Sequence, residues 1–341
     1  MPDIMDVTDI AFPHLGIYLH NIPKSISIFG FSIAFYGIII GIGMLLGVAL
    51  AAKQIEKMGE KADTIWDVAV YILVFSVIGA RAYYVIFSWD HYKNDLLSIF
   101  NTRKGGMAIY GGVIGGLLTI LIYCAIKKIN CLTMTDACVC GLTLGQLMGR
   151  YGNFFNREAF GEYTDNLFAM RLPIEAVRQS DISENIAAHI IDGTNYIQVH
   201  PTFFYESCWN IALLLILLYV VRHRRFAGQV ALTYFGGYGI GRFWIEALRT
   251  DQLLIPGTSI AVSRVVALAM LAVAIVGYVA GIRYAKSHES SDVPESEKNS
   301  VPEGETSGIS ERESSDVPES ETKTIPESET KTTSESETTV S

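Results

Sequence analysis

Residues Phe29–Ala52 read FGFSIAFYGIIIGIGMLLGVALAA, 24 positions without one acidic or basic side chain. About 20 apolar residues in a row cross the hydrocarbon of a bilayer as a helix. Lipid offers the backbone no water, so such a stretch satisfies its own N–H and C=O groups by coiling. The segment therefore predicts a membrane span. It is too long for the apolar core of a cleavable signal peptide, and no basic region precedes it.

Working outward, Gly105–Ile126 and Gly257–Ile282 are the next clearest spans. Trp66–Trp89, Leu132–Phe155, Pro201–Val221 and Gln229–Leu248 are apolar but carry ionisable residues. The expected fold is an all-α polytopic membrane protein with seven transmembrane helices. Lys53, Lys57 and Lys61 lie between the first two spans, and Lys127 and Lys128 between the third and fourth. Arg222, Arg224 and Arg225 lie between the fifth and sixth, and Arg283 and Lys286 follow the seventh. Every second connection is basic. These connections are expected in the cytoplasm, with the N-terminus outside and the C-terminus inside. The connection 156–200 is mixed in polarity and is expected to form a small extracytoplasmic cap.

The whole chain of 341 residues is 50% hydrophobic and 18% charged, with a net charge of −9. Its mean hydropathy is +0.31. That composition excludes a disordered chain, a collagen and a small disulfide scaffold, and no nucleic-acid partner is expected of a chain this acidic. The acid is local. Residues 287–341 hold 15 of the 35 acidic and 4 of the 26 basic side chains, so this segment carries −11 and the remainder +2. The segment repeats Pro-Glu-Ser-Glu at Pro294–Glu297, Pro318–Glu321 and Pro326–Glu329. Low in apolar residues, it is expected to be a disordered acidic tail on a membrane domain of residues 1–286.

Cys124, Cys131, Cys138, Cys140 and Cys208 all lie in or beside spans and read as small apolar fillers. Their spacing predicts no metal site. Ionisable residues within spans carry more information, because each is costly there. With the topology above, Arg81, Arg150, Glu206, Arg242, Glu246 and Arg264 fall towards the outer side, and Asp136 towards the inner. Arg242, Glu246 and Arg249 share one helix face at i, i+4 and i+7. Four arginines against two glutamates leave a surplus of positive charge. Guanidinium suits bidentate recognition of phosphate, so a phospholipid headgroup is the expected ligand.

Glycine-rich runs surround these positions. Tyr110-Gly111-Gly112 opens one, and Gly236-Gly237-Tyr238-Gly239-Ile240-Gly241 leads into Arg242. Gly149-Arg150-Tyr151-Gly152-Asn153-Phe154-Phe155-Asn156-Arg157-Glu158-Ala159-Phe160-Gly161 puts two arginines, two asparagines and a glutamate at one helix end. Asn153 and Asn156 share a face, and their amides can donate to phosphate or glycerol oxygens.

The stretch Gly149–Gly161 resembles the most specific motif of the bacterial prolipoprotein diacylglyceryl transferases. His200-Pro201-Thr202-Phe203-Phe204-Tyr205-Glu206 resembles a second motif of that family. Tyr36-Gly37, Gly79-Ala80-Arg81 and Arg242-Phe243-x-x-Glu246-x-x-Arg249 also fit it, and the resemblance runs over residues 15–282. It implies transfer of the diacylglyceryl group of phosphatidylglycerol to the lipobox cysteine of a preprolipoprotein, without metal or cofactor, in a bacterial cell membrane. Membrane lipids and preprolipoprotein signal peptides are then the partners.

Under that reading Arg150 and Arg242 hold the phosphate. Tyr36, Arg81, Gly111, Gly112, Gly152, Asn153, Asn156, Glu158, Gly161, Glu206, Tyr238, Glu246 and Arg249 line the substrate site. The family often has histidine where this chain has Tyr110. A phenol with a reference pKa near 10 is a poor base. Either Tyr110 only hydrogen-bonds the substrate or the base is elsewhere, with His200 the alternative. Arg264 stands where the family pattern leads one to expect glutamine. A transporter for an anionic solute is the competing reading, but its site belongs near the bilayer midplane, often between internal repeats, and no repeat is seen among the spans.

Overall fold

The computed structural model describes residues 4–102, 105–258 and 260–289. The tail expected at 287–341 lies outside the described residues from 290 onward. In chain order, the elements begin with strands β1 (Ile10–Phe12), β2 (Ile17–Leu19), β3 (Ser25–Ile28) and β4 (Phe31–Ala34). Helices α1 (Phe35–Lys57), α2 (Asp63–Phe87), α3 (Trp89–Tyr92), α4 (Ile109–Lys127) and α5 (Cys131–Asn156) follow. Then come β5 (Met170–Pro173), α6 (Glu184–Ala188), β6 (Tyr196–Val199), α7 (Thr202–Arg222), α8 (Gln229–Glu246) and α9 (Val262–Glu289).

The expectation of an all-α protein is corrected by two small sheets. One has the order β2-β1-β5-β6, all neighbours antiparallel, with Ala11 opposite Arg171 and Met170 opposite Val199. Its face buries Ile10, Met170, Leu172, Ile197 and Val199 with Phe160, Val177 and Ile186. This sheet thus draws on two distant segments, the N-terminal residues and those after α5, not on 156–200 alone.

The other sheet is the hairpin β3–β4, with Ile28 opposite Phe31. Its turn residues Phe29 and Gly30 both have positive φ, 50° and 82°. Two such residues give a turn whose twist matches a two-stranded ribbon. The first six residues expected in span one therefore fold as a turn and a strand, and the helix starts only at Phe35. Apolar composition alone does not separate a strand from the end of a helix.

Among the described residues, six helices are long and apolar enough to cross a membrane: α1, α2, α4, α5, α7 and α9. The seventh expected span, α8, is a helix of 18 residues but is not among them. Its glycines, tyrosines, Arg242 and Glu246 lower its hydropathy. Helix α1 packs on α5, α2 on α4, α5 on α7, α7 on α8 and α8 on α9. One core joins Ala51 and Ile55 to Ile65, Val68, Tyr123, Met134 and Ala137. A second joins Val139 and Cys140 to Leu213, Leu217, Val230 and Tyr234.

Asp136, fully buried in α5, accepts hydrogen bonds from the backbone N–H groups of Gly228 and Ala231, each at 2.8 Å. It thereby caps α8 from a neighbouring helix, doing what an N-cap side chain normally does locally. Arg224 joins it at 3.2 Å. This fixes the start of α8 against α5 and, through the helix, the level of Arg242.

Candidate active site

Glu206, in the second turn of α7, is buried, and three arginines from different segments converge on it. Oε1 receives Nη1 of Arg150 at 3.4 Å, Nη1 of Arg242 at 3.7 Å and Nη1 of Arg249 at 3.5 Å. Arg150 Nε also stands 3.1 Å from Oε2, close enough to pair but out of line for a hydrogen bond. Arg242 pairs one turn along α8 with buried Glu246, at 2.6 Å. Arg249, three residues past α8, forks onto Asp251 with Nε–Oδ1 2.9 Å and Nη2–Oδ2 2.7 Å.

Three guanidiniums thus face three carboxylates. The surplus of positive charge expected from the sequence is not present within this cluster: Arg81 and Arg264 stand apart from it, and Asp251 balances Arg249. Burial opposes ionisation of Asp251, and the Arg249 hydrogen bonds outweigh it, holding the carboxyl below its ordinary value. Burial likewise opposes the charge on Arg249, while Asp251 and the neighbouring glutamates raise its pKa above the usual range.

A second hub adjoins the first. Arg150 Nη1 donates to Asn153 Oδ1 at 3.4 Å, and Asn153 and Asn156 donate to Glu158 Oε1 at 3.1 and 3.2 Å. Arg178 of the cap holds Oε2 of the same glutamate at 2.9 Å. The helix ends here because Arg157 takes a left-handed conformation, φ 56°, followed by Ala159 at 57°. The reversal turns Glu158 back onto the two asparagines. Arg157 itself is buried and donates to the carbonyls of Thr8 and Ile22, tying down the N-terminal segment.

Two glycines of the signature stretch are there for close approach. A Cβ on Gly152 would lie 2.7 Å from Cδ2 of Tyr36, whose ring covers that face of α5. A Cβ on Gly161 would lie 2.6 Å from the carbonyl of Leu248. Gly161 bridges to Arg249, and Glu162 N–H donates to Leu248 at 2.8 Å. This bridge, with Gln252 donating to the Glu246 and Arg249 carbonyls at the end of α8, positions Arg249. Tyr238 stacks on Tyr234 at 5.5 Å, one turn from Arg242 on the same helix.

Other expected residues stand apart from the cluster. Arg81 places all five N–H groups on backbone carbonyls, those of Ser98, Ile99, Asn101, Gly105 and Gly106, and its guanidinium lies over Tyr92. It organises the α2–α4 connection and pairs with no carboxylate among the described residues. Gly111 lets α4 touch α2, since a Cβ would collide with the Gly79 carbonyl and Tyr83. Gly112 faces the same helix, near Ser76 and Ala80. Tyr110, in the first turn of α4, is 45% exposed and has no side-chain hydrogen bond among the described residues. Arg264 lies over the Phe243 ring at 4.6 Å.

His200 is joined to Tyr205 Oη at 3.3 Å and to the Asn166 amide at 3.5 Å. Burial lowers its pKa from the ordinary histidine value, partly countered by Glu162, so the imidazole is neutral at neutral pH. Sequence reasoning missed Asp251, Arg178 and Asn166. All three lie outside spans, where an ionisable or amide side chain carries no cost that marks it. The spacing Arg249-x-Asp251 was the only signal.

Apolar helices of bilayer length, packed beside a buried arginine–carboxylate cluster, define a polytopic membrane protein with a polar site at one end of α5, α7 and α8. The family model described as prolipoprotein diacylglyceryl transferase matches residues 23–280. The phosphatidylglycerol–prolipoprotein diacylglyceryl transferase of Clostridioides difficile (strain 630) is 40% identical over 229 residues, covering 67% of this chain and 84% of that protein. The protein of the same name from Finegoldia magna is 39% identical over 267 residues, covering 78% and 97%. The one from Bacillus cytotoxicus is 39% identical over 248 residues, covering 72% and 87%. This chain belongs to the prolipoprotein diacylglyceryl transferase family.

Proposed function

We propose that the chain transfers the diacylglyceryl group of phosphatidylglycerol to the lipobox cysteine thiol of a preprolipoprotein, the first step of lipoprotein maturation. The observation that carries this reading is the convergence of Arg150, Arg242 and Arg249 on one oxygen of Glu206. Contacts of 3.4 to 3.7 Å are looser than the 2.7–2.9 Å of a strong charged hydrogen bond. The three Nη1 groups can therefore be recruited by a phosphate oxygen without dismantling the Glu246 and Asp251 pairs.

The thiolate forms a C–S bond at the glycerol carbon that bears the phosphate. The C–O bond to phosphate breaks, its electron pair stays with the departing glycerol phosphate, and the thiol proton goes to a base. Charge grows on the bridging oxygen as that bond breaks, and fixed cations stabilise it. Arg150 and Arg242 meet the phosphate, with Arg249 behind them. Asn153 and Asn156, steered by Glu158, orient the headgroup glycerol. A neutral His200 has the protonation state a base needs, whereas Tyr110 suits a hydrogen-bonding role. Arg81 acts through the α2–α4 connection.

In this reading α8 is the seventh span, the cluster lies on the extracytoplasmic side of a bacterial cell membrane, and the basic connections face the cytoplasm. The test is incubation of the purified chain with phosphatidylglycerol and a peptide carrying one lipobox cysteine. A mass gain of one diacylglyceryl unit supports the transferase. Folded protein that gives none rejects it. Uptake of an anionic solute into vesicles without transfer would favour a transporter.

A further inference from the structure

A basic cleft lies at the opposite end of the same helices. Glu206 is in the second turn of α7, whereas Arg225 follows the last turn of that 21-residue helix. At 1.5 Å per residue the two are separated by about 25–30 Å along the helix. Arg225, Phe226, Ile282, Tyr284 and Lys286 line an open cleft of ≈ 610 Å³ between the α7–α8 connection and the end of α9.

The cleft wall is firmly built. Phe226 sits against Gly281, where a Cβ would collide with its ring, and meets Tyr278 edge-on at 5.8 Å. Gln229 accepts from the Arg225 backbone N–H at 2.7 Å and donates to Tyr278 Oη at 2.8 Å. The two adjacent arginines have different fates. Arg224 is consumed by Asp136. Among the described residues, Arg225 and Lys286 have no ion pair and no acidic residue lines the cleft with them.

We infer that this cleft binds the phosphate of an anionic phospholipid molecule other than the one that reacts. Two cations that pair with no acid among the described residues line one space, which calls for an anion. The apolar side chains of Phe226 and Ile282 beside them favour an anion attached to a glycerolipid over one dissolved in water. Tyrosine rings such as that of Tyr284, and basic residues, are side chains that settle at the headgroup level of a bilayer. With the topology proposed above, this lipid belongs to the cytoplasmic leaflet. The inference does not depend on the transferase reading.

The experiment is native mass spectrometry of the full chain in detergent, titrated with phosphatidic acid, with phosphatidylcholine and with soluble glycerol 3-phosphate. The wild-type chain is expected to bind one more phosphatidic acid than the Arg225→Ala/Lys286→Ala variant, with each removed charge weakening that event about fivefold. Arg225→Lys should retain it. Because neither residue belongs to the candidate active site, transfer from phosphatidylglycerol should be unchanged, which separates this site from failure of the proposed function. Equal lipid counts in wild type and the double variant would overturn the inference. So would equal binding of phosphatidylcholine, or glycerol 3-phosphate binding as tightly as the lipid, which would make the ligand a soluble phosphate.

Discussion

Oε1 of Glu206 collects three guanidinium groups, so substitutions around it act on shared contacts. Gly152→Ala places a methyl 2.7 Å from the Tyr36 ring, closer than carbon atoms approach. Tyr36 must move, and α5 carries Arg150 two residues away. Transfer is expected to fall at least tenfold, and the overpacking to lower folding stability by about 1–3 kcal/mol. Tyr36→Ala in the same chain should recover part of the loss if the clash is the cause; a rate assay on both variants checks this.

The Arg249–Asp251 fork has a defined pH signature. Asp251 has a lowered pKa in the folded chain, so its contribution is present above the unfolded value of about 3.9 and is lost as pH falls through the folded value. The melting-temperature difference between wild type and Asp251→Asn should be constant from about pH 5 to 8 and shrink only below about 4. A difference that disappears near pH 6 would assign the effect to another group. His200 has the same direction of shift from a different starting point. If it is the base, the acid limb of the rate profile lies below about 6.5.

At the scale of elements, Asp136 holds α8 in place. Asp136→Ala leaves two buried N–H groups and Arg224 without their acceptor. Each buried donor left unmade costs about 1–3 kcal/mol, so the variant is expected to lose at least about 2 kcal/mol. Thermal unfolding in detergent would show the melting point fall, and an unchanged midpoint would remove the capping role. The six spanning helices were legible because each is a long apolar run. The sheet was not, because β1 and β2 are three residues each and gain meaning only by pairing Ala11 with Arg171, 160 positions away. The hairpin was hidden for a different reason: Phe29, 98% exposed at its tip, is as apolar as the span that follows.

Across the whole molecule, the net charge of −9 describes no site. It is the sum of an acidic segment and a membrane domain whose arginines are placed individually. The reading that ionisable residues inside spans are costly found Arg150, Glu206, Arg242 and Glu246, which do meet. It could not separate Arg81, equally costly, whose donors are all taken by a loop. Nor could it find Asp251, which stands outside any span. Sequence position conveys cost, and only the fold conveys partners.

The central claim is that the arginines around Glu206 hold the lipid phosphate during transfer. Its most direct test is the rate of thioether formation by Arg150→Ala at matched membrane abundance and melting temperature. The account predicts a loss of at least 100-fold, in line with removal of one preorganised charge from a transition state. A variant that folds like the wild type and transfers at the wild-type rate would contradict it.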